Sequence, residues 1–283
     1  MTIVTIARLT LREASRRKVV WALAGLTAVL IGLNAWGFAK IPGLQTDQAG
    51  ELTDGEARVI ASILLTLVMF TMSLVVALGT AFLAGPTLSG EVESGISGAV
   101  LARPVRRTSV LLGKWLGLVL FATGYVTIAG GLQFLVVRLT TGYTPPEPVV
   151  ALVVMTAEAV VLLTLALLLS TLLSPMASGV LAVGVFGATW VAGVIGGIGT
   201  AIGNDAVARI GDVSRVILPT DGLWHGVMDA LQAPSVFSEM GADAAAMPFL
   251  STLPLTPAYV AYVVAWVVLV LAVTATSFAR RDI

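Results

Sequence analysis

Residues 59–84 read VIASILLTLVMFTMSLVVALGTAFLA, a run without a single charged side chain. A helix needs about 20 apolar residues to cross the hydrocarbon core of a bilayer, whereas a transmembrane β-strand needs only about 10, with alternating polarity. This run is continuous and rich in Leu, Val and Ala, so it reads as a membrane-spanning helix. Five more stretches have the same character: 19–39, 110–137, 149–173, 179–202 and 258–279. The expected fold is an all-α integral membrane protein with six transmembrane helices.

Composition agrees. Of 283 residues, 57% are hydrophobic and 11% charged, and the mean hydropathy is +0.98. A soluble domain carries about 25% charged residues, so a soluble enzyme, a disordered chain and a nucleic-acid binder are excluded. The chain has no cysteine and one histidine, His225. That removes a disulfide framework, a zinc-thiolate centre, a Cys nucleophile and a His-rich metal cluster. His225 does stand four residues from both Asp221 and Asp229, but a lone imidazole between two acids reads as a solvated group. No metal site is expected. The first apolar stretch exceeds the h-region of a signal peptide and is read as a retained span.

Six spans place both termini on one side, and Lys and Arg choose the side. With the N-terminus inside, Arg8, Arg12, Arg16, Arg17, Lys18, Arg103, Arg106, Arg107, Lys114, Arg280 and Arg281 are cytoplasmic, against Lys40, Arg58, Arg138, Arg209 and Arg215 outside. Both termini are therefore expected in the cytoplasm; the abundance of Ala, Val, Leu and Gly hints at a bacterium, so the chain is expected in the inner membrane of a prokaryote. Residues 1–18 pattern as a basic amphipathic helix lying in the interface, with Ile3, Ile6, Leu9 and Thr10 at helical spacing and Arg8, Arg12 and Arg16 on another face. Residues 85–109 form a cytoplasmic segment long enough for a helix and a turn. The outer loop 203–257 is the longest piece between spans and carries an amphipathic run from Val213 to Leu231.

The most informative segment follows span two. Gly85-Pro86 must interrupt the helix, because proline lacks an amide donor and clashes with the preceding turn. Then come Ser89-Gly90-Glu91-Val92-Glu93-Ser94-Gly95 and Leu101-Ala102-Arg103-Pro104-Val105-Arg106-Arg107, and span three opens with Leu112-Gly113-Lys114. This arrangement resembles the permease subunits of ABC-2-type, exporter-class ABC transporters. Their hallmark is Glu-x-Gly, a Leu-bearing helix, Pro-Val-x-Arg and Gly-Lys. Glu93, Gly95, Leu101, Pro104, Val105, Arg107, Gly113 and Lys114 fall at matching positions. The N-terminal stretch with Arg8, Arg12, Glu13 and Arg16 is similar to the family's interfacial helix. Leu218-Pro219-Thr220-Asp221 looks like its Pro-x-Asp motif in the outer loop. Ile96-Ser97 departs from the family's usual pattern without touching the core of the motif.

The resemblance implies a single transmembrane domain over residues 1–283, working as a dimer with a second copy or a close homologue. Two cytoplasmic ATPase subunits would drive it, and ATP and Mg would be bound by those subunits, not by this chain. Glu91, Glu93, Gly95, Arg103, Pro104, Arg106 and Arg107 would form the ATPase-coupling element. Spans two and five would line the path, with lipid-like or drug-like cargo, or mechanical coupling to an extracytoplasmic partner. Leu88-Ser89-Gly90-Glu91 looks like the start of an ATPase signature, but no glycine-rich phosphate loop precedes Gly113-Lys114 and no βα alternation exists to hold one. The chain is therefore not expected to be an enzyme.

Glu158 lies in the middle of span four, where a carboxylate must face the bundle or a wet cavity. It reads equally as part of a translocation path or interface and as a hydrogen-bonded packing residue. Glycines spaced four apart (113 and 117, 193 and 197, 199 and 203) allow close helix approach. The tryptophans read mostly as an aromatic belt at span ends. Two alternatives belong to other classes. An ion-coupled secondary transporter would use Glu158, but no inverted repeat is visible. A non-transporting membrane scaffold would have no use for the 85–109 segment.

Overall fold

The computed structural model describes residues 3–40, 45–46, 50–51, 54–93, 106–232, 249–250 and 254–280; for 45–58 and 91–93 it describes the backbone alone. The elements in chain order are α1 (Ile3–Ala14), α2 (Lys18–Phe38), β1 (Gln45–Thr46), β2 (Gly50–Glu51), α3 (Asp54–Ala84), α4 (Pro86–Glu93), α5 (Arg107–Thr141), α6 (Pro148–Ser170), α7 (Pro175–Ala201), α8 (Asp205–Ile217), α9 (Thr220–Leu231) and α10 (Pro257–Arg280). The two short strands pair antiparallel, Gln45 with Glu51; everything else in this list is helix. Six helices are long and apolar enough to cross a membrane: α2, α3 running on through α4 as far as Gly90, α5, α6, α7 and α10.

In lipid, apolar burial supplies little drive between helices, so packing rests on close contact and on polar bonds. Both are visible. α3 and α6 form the centre of the bundle, with Leu65, Met69 and Met72 meeting Met155 and Leu162. A second cluster, with Leu83, Leu88, Leu111, Leu167 and Phe278, closes the end at which both termini lie. The break after span two falls at Gly85, where the expected Pro86 removes an amide donor. A side chain at Gly85 would lie 2.9 Å from Ser178 Oγ, so the break is pressed against the first turn of α7.

α1 docks on α5 through glycine. A Cβ at Gly113 would lie 2.6 Å from Ile6 Cβ, and one at Gly117 would lie 2.5 Å from the carbonyl oxygen of Ala7. The buried face of α1 is Ile6, Ala7, Thr10 and Ala14. Leu9, expected on that face, is exposed. The stripe is narrower than hydropathy suggests, because small side chains are what a glycine-lined groove admits.

The other end of the bundle departs more from expectation. α7 ends at Ile202, Gly203 turns the chain with φ 69°, and Asn204 Oδ1 caps α8 by accepting from the amides of Ala206 (3.1 Å) and Val207 (3.2 Å). α8 then runs back antiparallel along α7. Gly199 faces Val207 and Ala208, Gly196 faces Gly211 with a built Cβ only 2.5 Å from Gly211 Cα, and Gly193 faces Asp221. The turn Leu218-Pro219 lies beside Thr189, whose hydroxyl is 3.5 Å from that of Thr220, roughly halfway along α7. α9 climbs out again to Leu231, whose carbonyl accepts from the Tyr143 hydroxyl at 2.8 Å. The amphipathic run from Val213 to Leu231 is therefore two helices, broken where Pro219 has no amide. Together they form a re-entrant hairpin packed into the bundle.

Candidate functional site

Two polar regions stand out, one at the end that holds the termini and one in the bundle interior. At the end holding the termini, Arg17 Nη2 donates to Glu13 Oε1 at 2.6 Å, and its other terminal nitrogen reaches the carbonyl of Leu83 at 3.5 Å. That carbonyl sits at the α3–α4 break and also accepts from the Thr87 hydroxyl at 2.6 Å. Lys114 is buried and donates from Nζ to the carbonyl of Thr87 at 2.9 Å. Arg107 Nη1 donates to the carbonyls of Phe278 (3.3 Å) and Ala279 (3.2 Å). Thus α1, α4, the start of α5 and the end of α10 are cross-tied by three cations.

The expected coupling residues distribute around this knot. Arg8, Arg12 and Glu13 are exposed on α1 and Arg16 in the turn that follows it, and Leu9, Arg12, Glu13, Arg16 and Arg17 line an open groove. The backbone of Glu91 and Glu93 belongs to α4. Gly95, Arg103 and Pro104 lie outside the described residues. Arg106 is exposed at the N-cap of α5. Lys114, read from sequence only as part of a motif, proves to be the group that fastens α4 to α5.

In the bundle interior, Glu158 is 2% exposed. Ser73 Oγ on α3 donates to its Oε1 at 2.8 Å, and Oε2 meets no hydrogen-bond partner among the described residues. The re-entrant turn brings a second buried acid to this level. Asp221, 4% exposed, accepts from Arg215 Nε at 2.9 Å. His225 Nε2 lies 3.8 Å from the same carboxylate and 3.0 Å from Arg215 Nη2. A guanidinium only donates, so Nε2 must accept and the imidazole carries its proton on Nδ1. Burial holds His225 below the usual imidazole range; Asp221 opposes this and Arg215 adds to it. Asp229 points elsewhere: burial, and then the Glu147 carboxylate, raise its value. Among the described residues no three metal-type ligands converge.

Sequence reasoning missed this hairpin network, and the tryptophans show why. Trp115 Nε1 donates to Thr164 Oγ1 at 2.9 Å. Trp190 and Trp224 flank Phe70, with ring centroids 4.9 and 5.3 Å away. Trp266 Nε1 donates to the carbonyl of Ile217 at 3.1 Å. Only Trp21 and Trp36 stand largely exposed near the ends of their helix. The usable signal was Pro219 inside a periodic run, together with Gly196, Gly199 and Gly211 as facing small residues.

A bundle of six helices long and apolar enough to cross a membrane, with a knot of cations around a kinked span, defines a multi-pass membrane protein. The sequence model of the ABC-2 family of transporter proteins matches residues 4–283. The chain belongs to this family: it is a multi-pass permease subunit of an ABC transporter, a class that works with an ABC ATPase subunit and is not itself the ATPase. No curated protein matches the chain.

Proposed function

We propose that the chain is one half of the translocation unit of an ATP-driven exporter, paired with a second copy or a homologue. Two ATPase subunits dock at the end that holds both termini, which faces the cytoplasm of a prokaryotic cell. The observation that carries this reading is the knot at that end. Lys114 and Arg17 bind carbonyls on either side of the Gly85-Pro86 break, so a push on α4 passes directly to α3, α5 and α1. The motor's site would be α4 with Glu91 and Glu93, the Gly95–Arg107 segment, and the exposed Arg12 of α1 and Arg16 of the turn after it. Charge-assisted pairs suit such a surface, and anionic lipid headgroups can share the basic face.

ATP and Mg belong to the motor subunits. Cargo is apolar or amphiphilic, moving at the surface where α3 and α7 meet the second copy. The same machinery could instead hand mechanical work to an extracytoplasmic partner through the hairpin. The test is purification of the tagged chain from its host with assay of ATP hydrolysis. A stoichiometric ATPase subunit is expected with wild type and its loss with Glu91→Ala/Glu93→Ala. A chain that purifies alone, without ATPase activity, overturns the reading in favour of an ion-coupled carrier using Glu158.

A further inference from the structure

α10 packs one face on α6 and leaves the other facing outward, and polar contacts hold it at both ends. Only Val263, Thr274 and Phe278 are buried, and Val260, Val264, Val268, Leu269 and Val273 face outward. Near its start, three side chains at positions i, i+3 and i+7 grip the last turn of α8. The Tyr259 hydroxyl lies 3.3 Å from the carbonyls of both Arg215 and Pro219. Tyr262 donates to the carbonyl of Val216, and Trp266 Nε1 to that of Ile217 at 3.1 Å. Those of Arg215, Val216 and Ile217 belong to the last turn of α8, where a helix end leaves carbonyls without intrahelical partners; that of Pro219 also accepts from the amide of Leu223 at 3.2 Å. Gly222 makes the approach possible, because a Cβ there would lie 2.2 Å from the Tyr259 hydroxyl.

At the other end, Arg107 binds the carbonyls of Phe278 and Ala279, and Ser277 Oγ lies 2.8 Å from Thr171 Oγ1. Arg107 is also the first residue of α5, directly after the segment assigned to the motor.

We infer that α10 is a transmission rod: it carries displacement of Arg107 to the re-entrant hairpin, with Tyr259, Tyr262 and Trp266 as the positioning residues that hold the hairpin to it. A helix of 24 residues is about 36 Å long and stiff along its axis. Lipid along its outward face offers no fixed register against which it would stick. Moving α10 without the hairpin would break the contacts of Tyr259, Tyr262 and Trp266. What moves at the far end is the turn bearing Asp221 and its pair with Arg215. The assignment of the driving end rests on the proposed function; the mechanical link does not.

The chain has no cysteine, so a single nitroxide can be placed at Val213→Cys, an outward position on α8. The full chain is reconstituted in nanodiscs with the 107 side chain intact, as Arg107→Gln or as Arg107→Lys, each with and without Tyr262→Phe/Trp266→Phe. Arg107→Gln is expected to raise the mobile fraction of the spectrum at least about twofold, the low end of coupling between linked residues. Arg107→Lys retains a donor and has a smaller effect. With the aromatic donors removed the probe is already mobile, and Arg107→Gln adds nothing. An unchanged spectrum for Arg107→Gln overturns the inference, as does an effect of equal size in both backgrounds. Tyr262→Phe deletes one oxygen, so that variant alone keeps the comparison valid if the double substitution fails to fold. No ATPase is present in the experiment, so its failure is separate from failure of the permease reading.

Discussion

Gly117 decides how close α1 comes to the bundle. Its missing side chain is occupied by the Ala7 carbonyl and by Thr10 Cβ, 2.5 and 2.8 Å from where a Cβ would sit. Gly117→Val should therefore cost about 1–3 kcal/mol, the usual penalty for overpacking, and lower the unfolding temperature in detergent. Gly124→Ala, at a position with nothing within 4 Å, should leave it unchanged or raise it. The Glu158 carboxyl gives a second residue-level test. Ser73→Ala strips its donor and should destabilise by about 1–3 kcal/mol, whereas Ser73→Ala/Glu158→Leu, which removes both partners, should recover most of that loss; equal losses would mean that the carboxyl has another anchor. Asp229 carries a pH signature. Its folded value is raised by burial and by Glu147, so the folded state holds the proton more tightly than the unfolded chain. Ionised Asp229 thus weighs against the fold at neutral pH, and the penalty fades as pH falls through the raised value. Because Asp229 is largely exposed and solvent screens it, Asp229→Asn should raise the unfolding temperature only slightly at pH 7 and make no difference in acid.

Among the elements, α8 depends most on its cap. Asn204→Ala removes the acceptor for two amides and should cost about 0.5–2 kcal/mol, visible as faster hydrogen exchange at residues 206–208 with no change in α9. This element also marks where sequence reading stops. The six long helices were legible because a run of 20 or more apolar residues has few other fates, and the kink at Gly85-Pro86 was legible because proline chemistry is local. The hairpin was not. An amphipathic period says that one face is covered but not by what, and a charged helix between spans reads by default as a loop in water. Asp221 was noticed as part of a motif, yet its partner Arg215 was counted only as a charge on the outside. Tyr259, Tyr262 and Trp266 share one face of α10, but aromatic residues near a span's start are also what an interfacial belt looks like. What separates the two cases is the set of open carbonyls on another helix, and pattern alone does not show those. At the opposite end Arg107 was flagged as a contact for the motor, while its grip on the α10 carbonyls belongs to tertiary structure.

At the scale of the whole molecule, the proposed orientation predicts sided labelling. With single cysteines in the cysteine-free chain, a membrane-impermeant maleimide should reach Asp205→Cys in intact cells and Arg12→Cys only after permeabilisation; the reverse pattern would invert the permease and its motor. The hairpin has a further consequence for how the chain is made. α8 carries Asp205, Arg209, Asp212 and Arg215 within 13 residues, and each such charge costs about 2.5–3.5 kcal/mol to insert at the centre of a helix entering the bilayer alone. It cannot partition by itself as it leaves the ribosome. Part of the hairpin's packing, on α7 and Tyr143, is available at once, but the contacts of its turn with Tyr259, Tyr262 and Trp266 form only after α10 is made. The last step of assembly is then expected to be the docking of α10 on the hairpin turn. A nascent chain halted before Pro257 should expose residues 205–231 to protease even with the first five spans in place, and quality control that senses this segment would be reading whether translation had finished.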